Sequence, residues 1–214
     1  MFRPIRWNTF IRDFFVIQFG YGLFGLSLAL IIQANLGTGP WSVFEVALSN
    51  STKLSVGTIT VIVGFAVFFI VLALRESIGW GMLGNILCIG PWLDFFRWVI
   101  PPMHDNFPLQ ISMVLLSIFT QGIASAIYIG VDAGAGPRDS LMLAIKRTTG
   151  LSLRLARGAS ELTVFIIGWL LDGPAGVGTV VFALLIGPSV QWAFKVFNVH
   201  PHGPEIDVPL APED

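Results

Sequence analysis

Charged side chains are scarce in this chain, and their scarcity excludes several classes of protein at once. They make up 12% of the 214 residues, whereas a soluble domain carries about 25%. The formal net charge is -1, so the chain lacks the basic surface by which nucleic-acid-binding proteins hold phosphates, and no nucleic-acid partner is expected. With 54% of its residues hydrophobic, the composition instead indicates a protein embedded in the lipid bilayer.

Cysteine and histidine are also rare, and neither is placed to bind a metal. The one cysteine, Cys88, lies in an apolar run, which excludes an internal disulfide and a cysteine-ligated metal cluster. The three histidines, at positions 104, 200 and 202, fall in a predicted loop and in the tail, so no pair has ligand spacing on a helix. Clustered nucleophiles and bases are missing, as is the glycine-rich loop of ATP-driven pumps. The sequence therefore predicts no enzyme activity, no metal site and no cofactor.

Long apolar runs are what the chain has in abundance. A hydrocarbon core about 30 Å thick requires roughly 20 apolar residues in a helix. Six runs meet this length: 14–34, 56–74, 79–99, 109–131, 153–171 and 176–196. Two shorter segments, 41–50 and 138–148, have helical periodicity but are too short to cross, and we predict that they are half-helices. The predicted fold is an all-α membrane protein with six transmembrane helices and two short half-helices.

The basic residues indicate how these spans are oriented. If the half-helices do not cross, ten lysines and arginines share one side of the membrane, and the positive-inside rule makes that side the cytosol. Two basic residues, Lys53 and Arg97, lie on the opposite side. Both termini are then cytosolic. The ten are Arg3, Arg6, Arg12, Arg75, Arg138, Lys146, Arg147, Arg154, Arg157 and Lys195.

Glycine and proline residues indicate an internal repeat. Gly37, Gly39 and Pro40 recur 97 residues later, at 134, 136 and 137, and the Ile-Gly-Pro of 89–91 recurs at 186–188 in the same gapless register. Each unit contains three predicted crossings, an odd number, so the second copy must enter the membrane from the opposite face. We therefore predict two inverted three-helix repeats, an arrangement typical of secondary transporters.

This repeat divides the chain into five parts. They are a cytosolic N-terminal segment (1–13), a first membrane repeat (14–99), an external loop (100–108), a second membrane repeat (109–197) and a tail (198–214). The tail is polar and rich in proline, which predicts a disordered cytosolic segment.

Three short motifs resemble a known family. They are Leu-Gly-Thr-Gly-Pro-Trp at 36–41, Leu-Ser-Val-Gly-Thr at 54–58 and Gly-Pro-Arg-Asp-Ser-Leu-Met at 136–142. Together they resemble the YczE/YyaS/YitT-type bacterial membrane proteins, in particular the YczE branch, over most of the chain from Gly20 to Val196. The resemblance implies a protein of the bacterial cytoplasmic membrane and does not imply a substrate.

Two Gly-Pro pairs form the first candidate site. Gly90-Pro91 and Gly187-Pro188 lie near the middle of equivalent predicted helices, where proline frees the carbonyl four residues back. Those carbonyls belong to Leu87 and Leu184. Matched interruptions at mid-membrane depth are typical of transport sites, since freed carbonyls and half-helix ends can hold a ligand. The alternative is a pair of plain kinks.

The starts of the two half-helices form a second candidate, as paired gates. Gly39-Pro40 and Gly136-Pro137 are typical of a glycine before a helix whose first turn holds proline. Such an N-terminus attracts anions, and Arg138 would add positive charge, although Asp139 in the first turn can satisfy the same donors. The alternative is simple capping.

Glu161 is the third candidate because it lies near the middle of a predicted span. An acid within the membrane is by default a functional hypothesis, here a proton or cation coupling site, and Arg157 one turn away is its expected partner. The alternative is a structural ion pair.

These features favour a secondary transporter or permease for a small solute that is not identified by the sequence. The alternative is a non-transporting membrane scaffold or regulatory protein, which fits the short loops and small size. The expected partners are the lipid bilayer and a small-molecule solute. A homo-oligomer is compatible with the sequence, which does not determine the oligomeric state.

Overall fold

The computed structural model describes residues 5–134 and 136–199, without the side chains of residues 153 and 154. The predicted tail therefore lies outside the described residues from position 200 onward, together with Arg3 and the histidines at 200 and 202. The described part is built from eight α-helices, which confirms the all-helical prediction. They are α1 (Phe10–Gln33), α2 (Pro40–Thr52), α3 (Val56–Ala73), α4 (Trp80–Val99), α5 (Phe107–Gly130), α6 (Pro137–Thr149), α7 (Leu153–Leu170) and α8 (Val177–Val196).

Local sequence explains where the short helices α2 and α6 begin and end. Each starts with a proline in its first position, where the missing N–H has no intrahelical partner to lose. Each ends at a residue with left-handed backbone, Lys53 with φ 61° and Gly150 with φ 73°. The next helix in each copy starts after a serine whose hydroxyl accepts a hydrogen bond from the first turn, Ser55 for α3 and Ser152 for α7. These are ordinary N-caps.

The 97-residue register seen in the sequence also relates the helices. Both ends of α1 to α4 reappear 97 residues later as the ends of α5 to α8, with no exception. The loops follow the same register, since Gly37 and Gly134 have φ of +100° and +114°. A gapless register through four helices and their loops is the signature of two copies of one unit.

The two copies contact each other reciprocally. The N–H of Gly81 on α4 donates to the carbonyl of Ala133 (3.0 Å), and the equivalent N–H of Gly178 on α8 donates to the carbonyl of Leu36 (2.7 Å). A Cβ at Gly37 would lie 2.4 Å from the backbone nitrogen of Gly176, so only glycine permits this approach. The centre of the molecule is formed by α1 and α5, with α4 packed on α1 and α8 packed on α5.

One pair of helices departs from this symmetry. In the first copy α3 packs along α4, whereas the equivalent helix α7 packs chiefly on α2 and α6 and has little contact with α8. The second copy is therefore open between α7 and α8, where the first copy is closed.

Among the residues that the structure describes, four helices are long and apolar enough to cross a membrane: α1, α3, α5 and α8. Large apolar side chains such as Phe69, Leu170 and Leu184 lie on the outer surface, as expected where lipid replaces water. The structure therefore supports a membrane protein. The other two predicted spans correspond to α4 and α7, which are 20 and 18 residues long. Helix α4 contains Asp94 and Arg97, and α7 contains Arg154, Arg157 and Glu161.

Candidate functional site

All eight helices contribute to one cavity of about 710 Å³ at the centre of the molecule. Ten pairs of its lining residues occupy equivalent positions in the two copies. The pairs are 24/121, 28/125, 39/136, 40/137, 41/138, 42/139, 60/157, 64/161, 85/182 and 89/186. The two copies therefore line this cavity largely at equivalent positions.

The two copies line this cavity with different chemistry. Among the described residues, every charged lining residue comes from the second copy: Asp132, Arg138, Asp139, Arg157 and Glu161. Their equivalents in the first copy are uncharged, namely Asn, Trp, Ser, Thr and Gly at positions 35, 41, 42, 60 and 64. One wall of the cavity is therefore polar and charged, and the facing wall is largely apolar.

An ion pair joins the two half-helices, α2 and α6. The guanidinium of Arg138 on α6 donates to Oε1 of Glu45 on α2 and lies over the ring of Trp41, 4.8 Å from its centroid. Trp41 and Arg138 are themselves an equivalent pair in the 97-residue register, so equivalent first turns of the two copies contact each other. The starts of α2 and α6 therefore meet at the centre of the molecule.

Glu45 is buried completely, whereas the side chain of Arg138 is 28% exposed. Within the described part of the chain, Oε2 of Glu45 is buried and has no hydrogen-bond partner. The hydroxyl of Thr60 lies beside this carboxyl but donates to the carbonyl of Val56 (3.0 Å). The pair thus has one end in the protein interior and the other at the cavity surface.

The acid predicted as a coupling site also faces the cavity. Nε of Arg157 lies 2.9 Å from Oε1 of Glu161, one turn further along α7, and the two side chains are 46% and 31% exposed. Across from them Asp139 accepts a hydrogen bond from the hydroxyl of Tyr128 (3.2 Å). The half-helix residues proposed as gates, Gly39, Pro40, Gly136, Pro137, Arg138 and Asp139, all line the same cavity.

The two Gly-Pro pairs lie elsewhere. Pro91 and Pro188 are exposed on the outer surfaces of α4 and α8, and the side chains of Leu87 and Leu184 are exposed as well. None of these positions lines the cavity, and neither do Gly90 and Gly187. The structure therefore does not bring the prolines together with Glu161.

Gly90 and Gly187 have different surroundings. A Cβ at Gly90 would lie 2.3 Å from the carbonyl oxygen of Gly57 on α3, whereas a Cβ at Gly187 would meet nothing within 4 Å. Gly90 permits the close packing of α3 on α4. The gap at Gly187 reflects the missing contact between α7 and α8.

One end of the molecule, where α1 ends and α5 begins, is tied together by side-chain amides. We call it the Gln33 end. The amide of Gln33 donates to the carbonyls of Arg97 (3.1 Å) and Ile100, both at the end of α4. The amide of Gln110 on α5 donates to the carbonyl of Ala34 (3.0 Å). These bonds join α1, α4 and α5 across the end of the molecule.

The opposite end, where α5 and α8 finish, is reached by the cavity. We call it the Gly130 end. Gly130, Phe194 and Phe197 are the equivalents of Gln33, Arg97 and Ile100, and all three line the cavity. Gly130 has no side-chain amide and cannot form the hydrogen bonds that Gln33 makes. The cavity therefore extends from the centre of the molecule toward the Gly130 end, whereas hydrogen bonds join the helices in the equivalent region at the Gln33 end.

Comparison with known proteins identifies the family. A family model described as "Family of unknown function (DUF6198)" matches residues 11–195. The chain belongs to the DUF6198 family. The match covers almost the whole helical region, from α1 to α8.

Curated relatives of this DUF6198 chain come from two bacteria. It is 33% identical over 190 residues to "Uncharacterized membrane protein YczE" of Bacillus subtilis, covering 88% of this chain and 85% of that protein. An "Uncharacterized protein" of Haemophilus influenzae is 31% identical over 198 residues, covering 92% and 90%. "Uncharacterized protein YyaS" of Bacillus subtilis is 26% identical over 195 residues, covering 86% and 94%. These findings confirm the resemblance seen in the motifs, and no solved structure matches.

Glu45 is the residue of this DUF6198 chain that the sequence reasoning missed. It is the one charged residue in α2, and a charge inside an otherwise apolar, short helix is the signal that could have singled it out.

Proposed function

We propose that this DUF6198 protein is a secondary transporter or permease for a small solute, located in the bacterial cytoplasmic membrane. The observation that carries the proposal is the central cavity, which both copies line at equivalent positions. The cavity reaches the Gly130 end of the molecule, whereas hydrogen bonds join the helices at the Gln33 end. A volume of about 710 Å³ falls within the range of small-molecule sites, roughly 300 to 1,000 Å³. The proposal assigns the protein no catalytic role and no cofactor.

The proposal includes six crossings, with α4 and α7 spanning in addition to the four apolar helices. Charge on α7 is compatible with crossing because Arg157 and Glu161 face the cavity instead of lipid, which is where charged residues of spanning helices are found. On α4, Asp94 accepts a hydrogen bond from the backbone N–H of Gly57 at the start of α3 (2.9 Å). The acid on each of these helices is thus bonded to a protein group, Asp94 to Gly57 and Glu161 to Arg157.

The reciprocal contacts and the proposed number of crossings support inverted repeats. The hydrogen bonds of Gly81 and Gly178 exchange partners between the copies, as contacts do about a two-fold axis. With three crossings in each copy, that axis must lie in the membrane plane. The basic residues then place the Gly130 end in the cytosol, with both termini, and the Gln33 end outside. In this scheme the observed arrangement would correspond to an inward-open state.

Alternating access follows if the copies exchange their arrangements. In the exchanged state α3 would leave α4, α7 would pack on α8, and the cavity would reach the Gln33 end. Position 63 on α3 is equivalent to position 160 on α7. Ser160 lines the cavity now, whereas Val63 is buried among α3 and α4 residues. Exposure of these two positions should therefore alternate.

Cysteine labelling tests this exchange after Cys88 is replaced by serine. Ser160→Cys should react with a membrane-impermeant maleimide applied from the cytosolic side of inverted vesicles, and Val63→Cys should react weakly from either side. Breaking the Gln33 end with Gln33→Ala and Gln110→Ala should favour the exchanged state. Labelling of position 63 from outside should then rise, and labelling of position 160 should fall.

The control removes a hydrogen bond at the same end without freeing two helices. Ser112 donates to the carbonyl of Pro108 within α5 (2.7 Å), so Ser112→Ala should leave both labelling rates unchanged. If position 63 never becomes reactive from outside, or if both positions react from one side in every background, the protein does not alternate. That result would favour the alternative function, a non-transporting membrane scaffold or regulatory protein.

A further inference from the structure

In the ion pair between Glu45 and Arg138, only one of the two carboxylate oxygens has a partner, and this suggests what the cavity binds. Glu45 uses one carboxylate oxygen for Arg138, and its other oxygen is buried with no hydrogen-bond partner among the described residues. A guanidinium has five N–H donors in a planar fork. Part of the Arg138 side chain is exposed to the cavity. A second carboxylate could therefore approach Arg138 from the cavity side.

Among the described side chains, few other charges act on Glu45; Arg154 of α7 lies outside this set. It is the one charged residue of α2, and α3, which packs against α2, has no charged residue between its ends. On α7, the other neighbour, Arg157 and Glu161 are bound to each other. On α6, Asp139 follows Arg138 but accepts its hydrogen bond from Tyr128. The charge state of Glu45 therefore depends mainly on whether Arg138 stays with it.

We propose that the cavity binds the carboxylate group of a small organic acid at Arg138, and that Glu45 takes up one proton when this carboxylate replaces it. The inference rests on the proposed transport function and names its substrate class and its coupling. The solute forms a charge-assisted bond with the guanidinium, and the bond between Glu45 and Arg138 breaks. A buried carboxylate without a partner is strongly disfavoured, so Glu45 binds a proton from water. The net charge of the site does not change.

The first turn of α2 and the facing apolar wall suit a carboxylate at Arg138, although three acids, Asp132, Asp139 and Glu161, also line the cavity. The first turn of α2 contains no acid, whereas that of α6 contains Asp139. The backbone N–H groups of Trp41 and Ser42 in that turn lack intrahelical partners, and both residues line the cavity. These N–H groups would provide hydrogen bonds to the carboxylate in addition to those of Arg138, on which the proposal rests. The facing apolar wall, with Phe24 and Leu28, suits the hydrocarbon part of the acid.

The symmetry of the fold gives Glu45 a route to external water. Its equivalent in the second copy is position 142, where Met142 lines the present cavity. After the exchange of arrangements, Glu45 would take that lining position in a cavity open at the Gln33 end. Glu45 would therefore be loaded with a proton from outside and would lose it when it rejoins Arg138. This sequence moves one carboxylate and one proton in the same direction.

Titration calorimetry on the purified full chain tests the binding step with named probes. Acetate, lactate and benzoate are compared with acetamide, lactamide and benzamide, which lack the charge. At least one carboxylate should bind, its amide should not, and buffers of different ionisation enthalpy should reveal about one proton taken up per carboxylate. Affinity should increase as the pH falls, until the probe itself becomes protonated.

The variants separate the roles of the two residues. Arg138→Gln should weaken carboxylate binding by about tenfold to a hundredfold, the range for hydrogen bonds to charged groups. Arg138→Lys, which keeps the charge but loses the planar fork, should weaken it less. Glu45→Gln should bind the carboxylate more tightly than the unaltered protein at high pH, with no proton uptake and no pH dependence.

A matched control lies on the same helix. Arg147 of α6 is paired with Glu76 (2.7 Å) outside the cavity, so Arg147→Gln and Glu76→Gln should change neither affinity nor proton uptake. The proposal is overturned if no carboxylate of the series binds, if ethylammonium binds in its place, or if Glu45→Gln keeps the proton uptake. If no carboxylate binds while positions 63 and 160 still alternate in labelling, the transport proposal is retained and the carboxylate site is rejected. If both experiments fail, both proposals fall.

Discussion

Removal of Arg138 should destabilise the protein much more than removal of the comparable arginine at the surface. Arg138→Gln leaves Glu45 fully buried without its counter-charge. Removing one partner of a buried ion pair costs about 3 to 5 kcal/mol. In a chain of this length each kcal/mol lowers the melting temperature by about 2 to 4 °C, so we expect a decrease of about 6 to 20 °C. The pair formed by Arg147 and Glu76 has its arginine 54% exposed, and Arg147→Gln should cost about 1 kcal/mol or less.

The double variant Glu45→Gln, Arg138→Gln shows whether the loss comes from the stranded carboxylate. Two neutral amides can remain buried together at lower cost than one charge, so the double variant should recover most of the lost stability. The single variant should also regain stability as the pH falls, because its folded state then binds a proton at Glu45 that the unfolded state binds less readily. Thermal unfolding of the purified variants in one detergent, followed by tryptophan fluorescence at several pH values, measures both effects. Equal melting temperatures for Arg138→Gln and Arg147→Gln, or for the single and double variants, would refute the reasoning.

Two further predictions concern packing and topology. Gly90→Ala should lower the melting temperature because its Cβ would lie 2.3 Å from the carbonyl oxygen of Gly57. Gly187→Ala should be neutral or slightly stabilising, since nothing lies within 4 Å of the added Cβ. Equal effects of the two variants on the melting temperature would mean that α7 and α8 pack as α3 and α4 do. In a background without cysteine, Lys53→Cys should react with an impermeant maleimide from outside and Lys146→Cys from the cytosol, and labelling of both from one side would contradict inverted repeats.

Much of the helical framework could be predicted because it depends on local signals. Apolar runs bounded by glycine, proline and serine locate the long helices within a few residues, although α1 begins at Phe10 and the predicted run begins at 14. The half-helices have 13 residues each, close to the segments expected from periodicity. The repeat could be found for the same reason, since glycine and proline occupy backbone positions that other residues do not easily take.

The candidate site was predicted less completely because it depends on which helix faces meet. Glu45 and Arg138 are 93 residues apart in sequence, and no periodicity indicates that their helices start at one point. The Gly-Pro pairs illustrate the converse, because a helix interruption can face lipid as readily as a cavity. The position of Pro91 on the outer surface depends on the packing of Gly90 against Gly57 on α3, a tertiary contact between separate helices.

Divergence between the copies is what makes the proposed cycle directional. In an exact repeat, Arg138 would face its own equivalent across the axis, and two arginines in contact would repel each other. Trp41 removes that conflict, since its ring accepts the guanidinium, and Glu45 supplies the charge that the ring lacks. The equivalent of Glu45 is Met142, so exchanging the two arrangements does not recreate the same site on the other side. It substitutes a carboxyl for a thioether at the cavity wall, and the protonation of that carboxyl can then differ between the two states. An exact repeat would present the same groups to both sides and could not link proton binding to one of them.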